Sequence, residues 1–174
     1  MRIEEEIKLD YADVLFRPKR STLKSRKDVD LNRKYSFKHS KLSWKGIPII
    51  ASNMDGIGEI EVAKKLTSHK LMTALTKQHE IHHMAAIYKK NIFFDSISLS
   101  CGTSKDSYDR LNLILKKYPK FKFICIDVAN GYSENFSNFV SEVRKKYPKK
   151  TIIAGNVVTA DMTQELVLSG ADIV

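Results

Sequence analysis

The sequence predicts an α/β fold, a (β/α)8 barrel of which about the first five and a half βα units are present, and two observations carry that prediction. From residue 47 onward, apolar runs of strand length alternate with amphipathic stretches of helix length, the order of a parallel sheet covered by helices. Almost every run also ends in polar groups: Ser52, Asn53 and Asp55, then Thr76 and Lys77, Ser100, Asp127 and Asn130, and Asn156. A barrel gathers one site from the C-terminal ends of many strands in this way, whereas a doubly wound sheet concentrates its site at one switch point. The dinucleotide fingerprint of the doubly wound fold also fails, because Gly56-Ile57-Gly58 is followed by Glu61 where a third glycine belongs.

Strands are expected at 47–52, 71–76, 94–100, 121–128, 151–158 and 171–174, and helices at about 58–69, 79–91, 104–118, 133–147 and 160–169. The strands are apolar on both faces, as parallel strands covered by helices must be. In the fourth helix Phe136, Phe139, Val140 and Val143 recur at three- and four-residue steps. Thr159 or Asp161 can cap the last helix and Gly170 ends it. Residues 1–46 read as an arm and barrel cap, and 47–174 as the first part of the barrel. A closed barrel takes eight units and about 250 residues. More chain is therefore expected after Val174, since an open arc would leave strand edges in water.

Composition narrows the class. Of 174 residues, 43% are hydrophobic and 29% charged, with net charge +10. No run of about 18 apolar residues suggests a membrane span, and Met1 to Glu6 lack the apolar core of a leader, so a cytoplasmic location is expected. Cys101 and Cys125 sit in apolar runs and are expected to be reduced and buried. The lysines are scattered in pairs near helix ends, such as Lys116-Lys117 and Lys145-Lys146, where cations suit the helix dipole. No nucleic-acid motif accompanies them, and neither nucleic acid nor membrane is expected as a partner. His82 and His83 are adjacent and face different directions, which argues against a metal site.

Four collinear motifs add a resemblance: Asp13-Val14-Leu15-Phe16-Arg17-Pro18-Lys19-Arg20-Ser21, Ile49-Ile50-Ala51-Ser52-Asn53-Met54-Asp55, Asp127-Val128-Ala129-Asn130-Gly131-Tyr132-Ser133 and Ala154-Gly155-Asn156-Val157-Val158-Thr159. Together they resemble the IMP dehydrogenase/GMP reductase family. Lys77 runs straight into the next helix with no room for the tandem CBS insertion typical of the dehydrogenases, which favours the reductase branch.

The resemblance implies NADPH-dependent reductive deamination of GMP to IMP and ammonia, through a covalent bond from a cysteine to the purine. That cysteine, in a Gly-Pro-Gly-Ser-x-Cys loop, is expected after Val174 together with a K+ site, so no catalytic residue and no metal ligand is assigned within the chain. The alternatives are an IMP dehydrogenase lacking CBS domains, with NAD, and a non-catalytic fragment. The resemblance further implies a homotetramer in which the arm reaches a neighbouring subunit. Ser25, Arg26, Lys77, Asp127, Val128 and Ala129 would bind NADPH, and Ser52, Asn53 and Met54 the purine nucleotide. Two local departures stand out: Thr76-Lys77-Gln78-His79 where the family shows His-Lys-His-Tyr, and Asp55-Gly56-Ile57-Gly58 where Asp-Thr-Val-Gly is usual.

Overall fold

The computed structural model describes residues 5, 7, 9–89 and 94–174. Most of the first eight residues and the expected end of the second helix at 90–91 lie outside the described residues. The chain divides into two compact units, Met1–Asp30 and Leu31–Val174. In the first, single 3-10 turns at Tyr11–Asp13 and Arg26–Asp28 are each closed by a capping box, from Asp10 with Asp13 and from Ser25 with Asp28.

The second unit opens on an antiparallel hairpin, β1 (Arg33–Ser36) and β2 (Ser43–Gly46), paired from Arg33 with Gly46 to Ser36 with Ser43. In the sequence this segment reads only as part of the cap. Its strands are short and only Trp44 and Gly46 of β2 are buried, so the period-two signal is too brief to reveal them.

Five parallel strands follow in simple order: β3 (Ile50–Ala51), β4 (Met72–Leu75), β5 (Ile97–Cys101), β6 (Phe123–Asp127) and β7 (Thr151–Gly155). Between them run α1 (Ile60–Ser68), α2 (Ile81–Lys89), α3 (Lys105–Lys117) and α4 (Glu134–Lys146), with α5 (Ala160–Leu168) after β7. This arc is the start of the expected barrel. The run 171–174 is less regular than expected: Ile173 makes an isolated parallel bridge with Ile153 and no further ladder.

Local chemistry accounts for the helices. Ser133 caps α4 by accepting from Phe136 N at 3.3 Å, and Glu134 in the first turn and Arg144, Lys145 and Lys146 in the last suit the dipole. Ser104 caps α3 in the same way. Thr159 does stand at the start of α5, but its side chain makes no capping bond. Gly170, at φ 115°, turns the chain after α5.

Alternation on the strands sorts the core into two. Ile124 and Ile126 of β6 join Ile97, Leu99 and Cys101 of β5 and Phe136, Val140 and Val143 of α4 in the layer between sheet and helices. Each fully buried side chain of this size contributes about 2–3 kcal/mol of transfer free energy. Phe123 and Met72 point the other way and meet Phe37 and Trp44 of the hairpin, with Phe37 and Phe123 edge to face at 5.8 Å. The hairpin therefore closes the end of the arc opposite the strand tips.

Both cysteines are free, and Cys101 is buried, but Cys125 is only half-buried, because it alternates onto the concave face beside Asp127 rather than into the helix layer. Burial pushes the Cys101 thiol up to about 12 and the Cys125 thiol up to about 11, both from 9.0, and lifts Tyr108 from 10.0 to about 12. A folded-state value above the unfolded one means that the neutral form is favoured by folding, so the stability it contributes is intact below pH 9 and is lost as pH rises through the window from about 9 to about 12. The melting temperature should be flat from about pH 7 to about 8.5 and fall steeply above pH 9, and Cys101→Ala should soften that fall. An identical alkaline profile in wild type and variant would count against the assignment.

Candidate active site at the strand tips

The C-terminal ends of β3, β4 and β6 bring Asn53, Lys77 and Asp127 together around one carboxylate. Asp127, the last residue of β6, receives Lys77 Nζ on Oδ2 at 2.9 Å and Asn53 Nδ2 on the same oxygen at 3.1 Å. Lys77 also donates to the main-chain carbonyl of Asp127 at 2.7 Å. The lysine thus ties the tip of β4 to the tip of β6 across β5, and Asn53 ties in the loop after β3. Both members of the ion pair are over a third exposed, 37% for Lys77 and 41% for Asp127, so the pair adds little to stability, about 0–1 kcal/mol. Its effect is to orient the carboxylate.

This junction borders two openings. A cleft of about 670 Å³ runs from Lys77 and Gln78 past Gly102 and Arg110 to Asp127, Val128 and Ala129. A smaller one of about 160 Å³ lies between Asn53, Asp55, Thr76 and Asp127. The larger falls within the range of about 300–1,000 Å³ usual for small-molecule sites.

The loop after β3 is held by its own contacts. Met54 O accepts from Ile57 N at 3.0 Å and Gly58 N at 2.7 Å, and the Met54 side chain is 60% exposed. Gly58 sits so close to β4 that an added Cβ would lie 2.7 Å from Ala74 O and 3.0 Å from Thr76 N, so no side chain fits there. Gly58 O accepts from Thr76 N at 3.0 Å and lies 3.0 Å from His79 Nε2, and the same ring nitrogen is 3.4 Å from Glu59 Oε2. With an acceptor on both contacts, Nε2 carries the proton.

His79 thus staples the Met54 loop to the segment that carries Lys77. His79→Phe should cost about 1 kcal/mol, the worth of one such hydrogen bond, and should speed amide exchange at Thr76 and Gly58. Unchanged exchange at both amides would remove His79 from this role.

Of the residues singled out in the sequence, Asn53, Lys77 and Asp127 meet directly, Val128 and Ala129 line the same cleft, and Ser52 and Met54 flank Asn53 at the end of β3. Ser25 and Arg26 lie in the first unit, where the Ser25 hydroxyl accepts from Lys27 N at 3.2 Å. Three participants are not singled out by the sequence. His79 shows there only as a departure from the family pattern, whereas Arg110 and Ser107 sit within an ordinary amphipathic helix and carry no local signal. Among the described residues no group of His, Cys, Asp and Glu is arranged to hold a metal ion, and no helix is long and apolar enough to cross a membrane.

A (β/α)8-type arc whose strand tips meet at a carboxylate beside a cleft defines a barrel protein with a ligand site at its C-terminal face. Residues 8–174 match the model of the IMP dehydrogenase / GMP reductase domain, and the chain belongs to that family. It is 50% identical over 175 residues to a GMP reductase of Caenorhabditis elegans, covering 99% of this chain and 49% of that protein. It is 51% identical over 176 residues to a GMP reductase of Klebsiella pneumoniae, covering 100% and 51%. The chain thus spans about half the length of the curated relatives it matches. Among solved structures, the inosine 5' monophosphate dehydrogenase from Legionella pneumophila superposes with a TM-score of 0.75 at 26% identity, over 92% of this chain and 48% of that one.

Proposed function

We propose that the intact protein catalyses the NADPH-dependent reductive deamination of GMP to IMP and ammonia. The observation that carries the reading is Asp127, held at a strand tip by Lys77 and Asn53 at the edge of the large cleft, in a chain half-identical to GMP reductases. The residues present fit a nicotinamide dinucleotide. Both partners of Asp127 fall on Oδ2, so Oδ1 keeps its lone pairs for a ribose hydroxyl. Val128 and Ala129 offer a small apolar wall for a flat ring. When bound, the cofactor supplies hydride.

The chain's own residues orient the partners. Asp127 accepts from the ribose, and Lys77 keeps that carboxylate aimed. Ser52 and Asn53 mark the strand end where the purine nucleotide would lie, and the exposed thioether of Met54 packs against its base. Cys101 is buried in the layer between sheet and helices, and burial pushes the thiols of both Cys101 and Cys125 up, which disfavours the nucleophilic thiolate at either. The covalent step in this reading uses a different cysteine, and a K+ site accompanies it.

A homotetramer belongs to the same proposal. In the first unit Tyr11, Leu15 and Phe16 are 93%, 98% and 103% exposed, apolar surface suited to a neighbouring subunit, with Ser25 and Arg26 reaching that subunit's cofactor.

The test is turnover: incubation of the intact protein with GMP and NADPH should consume NADPH absorbance and release IMP and ammonia. No turnover with GMP, together with NADH formation from IMP and NAD, would assign the dehydrogenase reaction instead.

A further inference from the structure

We propose that Arg110 is the anion anchor of the large cleft and takes a phosphate group of the bound dinucleotide. The inference rests on the cofactor reading above and deepens it. Three cations stand at or beside this cleft. Lys77 is engaged by Asp127 at 2.9 Å. Lys105 is engaged by Asp109 at 2.5 Å. Arg110, in the second turn of α3, lines the cleft yet makes no hydrogen bond or ion pair among the described residues.

Its position is not that of a solvated surface side chain. Arg110 is half-buried, and it also lines a small void beneath the cleft with Leu75, Met84 and Leu111. Apolar neighbours of that kind hold the stem of an arginine and limit where its head can go. A half-buried guanidinium with no partner among the described residues has its donors available to an anion in the cleft, and a planar fork of donors fits a phosphate with two parallel bonds. The walls on either side carry hydroxyls, Thr103, Ser104 and Ser107, which suit phosphate oxygens. Among the described residues, Asp106 is the one carboxylate lining the cleft besides Asp127. It opposes a free anion and leaves Arg110 as the group that must offset it.

A dinucleotide offers this chemistry at two places, the bridging pyrophosphate and the phosphate that distinguishes NADPH from NADH. The experiment measures equilibrium binding of NADPH and of NADH to the intact protein by cofactor fluorescence, in wild type, Arg110→Met and Arg110→Lys. The methionine keeps the apolar stem and removes the charge, and a melting curve checks that it folds as wild type does.

NADPH binding should weaken about tenfold or more in Arg110→Met, as expected for a charge-assisted hydrogen bond, and Arg110→Lys, which keeps the charge but loses the fork, should recover only part of the loss. Equal weakening of both dinucleotides places the arginine on the pyrophosphate, and weakening of NADPH alone places it on the extra phosphate. Wild-type affinity in a folded Arg110→Met overturns the inference while leaving the cofactor reading intact. If the wild-type protein binds neither dinucleotide, the cofactor reading itself fails and this inference falls with it.

Discussion

Asp172→Ala is expected to destabilise the protein by about 3–5 kcal/mol, the cost of leaving a buried charge without its partner. The Asp172 side chain is fully buried, and Arg144 Nη2 donates to its Oδ2 at 2.6 Å. The carboxylate also accepts main-chain bonds from His39 N at 2.8 Å, Ser40 N at 3.3 Å and Ile152 N at 3.2 Å. It therefore joins the hairpin turn, β7 and α4 at the end of the arc opposite the site.

Arg144 completes the network with bonds to Gly170 O at 2.9 Å and Lys150 O at 2.7 Å. Burial lowers the Arg144 pKa below its ordinary value, with the Asp172 carboxylate opposing the shift. Alanine at 172 would strand that cation and three amides together. A chemical-denaturation midpoint with an unchanged slope reads the loss as stability. Because both partners act as one unit, Arg144→Met combined with Asp172→Leu should cost less than the sum of the single changes. A single Asp172→Ala within about 1 kcal/mol of wild type would show that the network has been overvalued.

The second large effect falls on activity. Asp127→Ala should lower kcat/KM for NADPH by about 10²–10³-fold, corresponding to the loss of one or two charge-assisted hydrogen bonds at about 1.5–3 kcal/mol each. Stability should change little, because the Lys77–Asp127 pair is more than a third exposed on both sides. Asp127→Asn keeps the shape and an acceptor oxygen but loses the charge that aims Lys77, so it should fall between the two. Steady-state rates at saturating GMP, with a melting curve as control, separate the effects. An Asp127→Ala protein within about twofold of wild type would remove Asp127 from the cofactor site.

Much of this site is legible in the order of residues alone. Asp127, Lys77 and Asn53 each follow an apolar run, and strand-end polar residues in a parallel βα repeat gather at one face. Met54 and the Val128-Ala129 pair come with the family motifs. What stays hidden follows a physical pattern. Arg110 lies on a helix whose alternation of charge and apolar side chains is ordinary, and only the cleft beside it distinguishes it from a solvated arginine. His79 acts through a carbonyl more than twenty residues away in the chain, a contact that no local spacing encodes. Asp172 sits in a short apolar run where a lone carboxylate reads as a strand-start residue. Its partners, Arg144, His39 and Ser40, come from distant segments of the chain.

By itself the sequence determined the alternation of strands and helices, the parallel sheet, the family and the face that carries the chemistry. These follow from periodicity and from residue types at strand ends, which are local properties of the chain. Only the tertiary structure decided how the hairpin covers the far end of the arc, which cations are already neutralised, and which thiols are suppressed. Those outcomes depend on burial and on distances between groups far apart in sequence. A charge's partner and its exposure to water are set by packing, and residue order alone does not specify them.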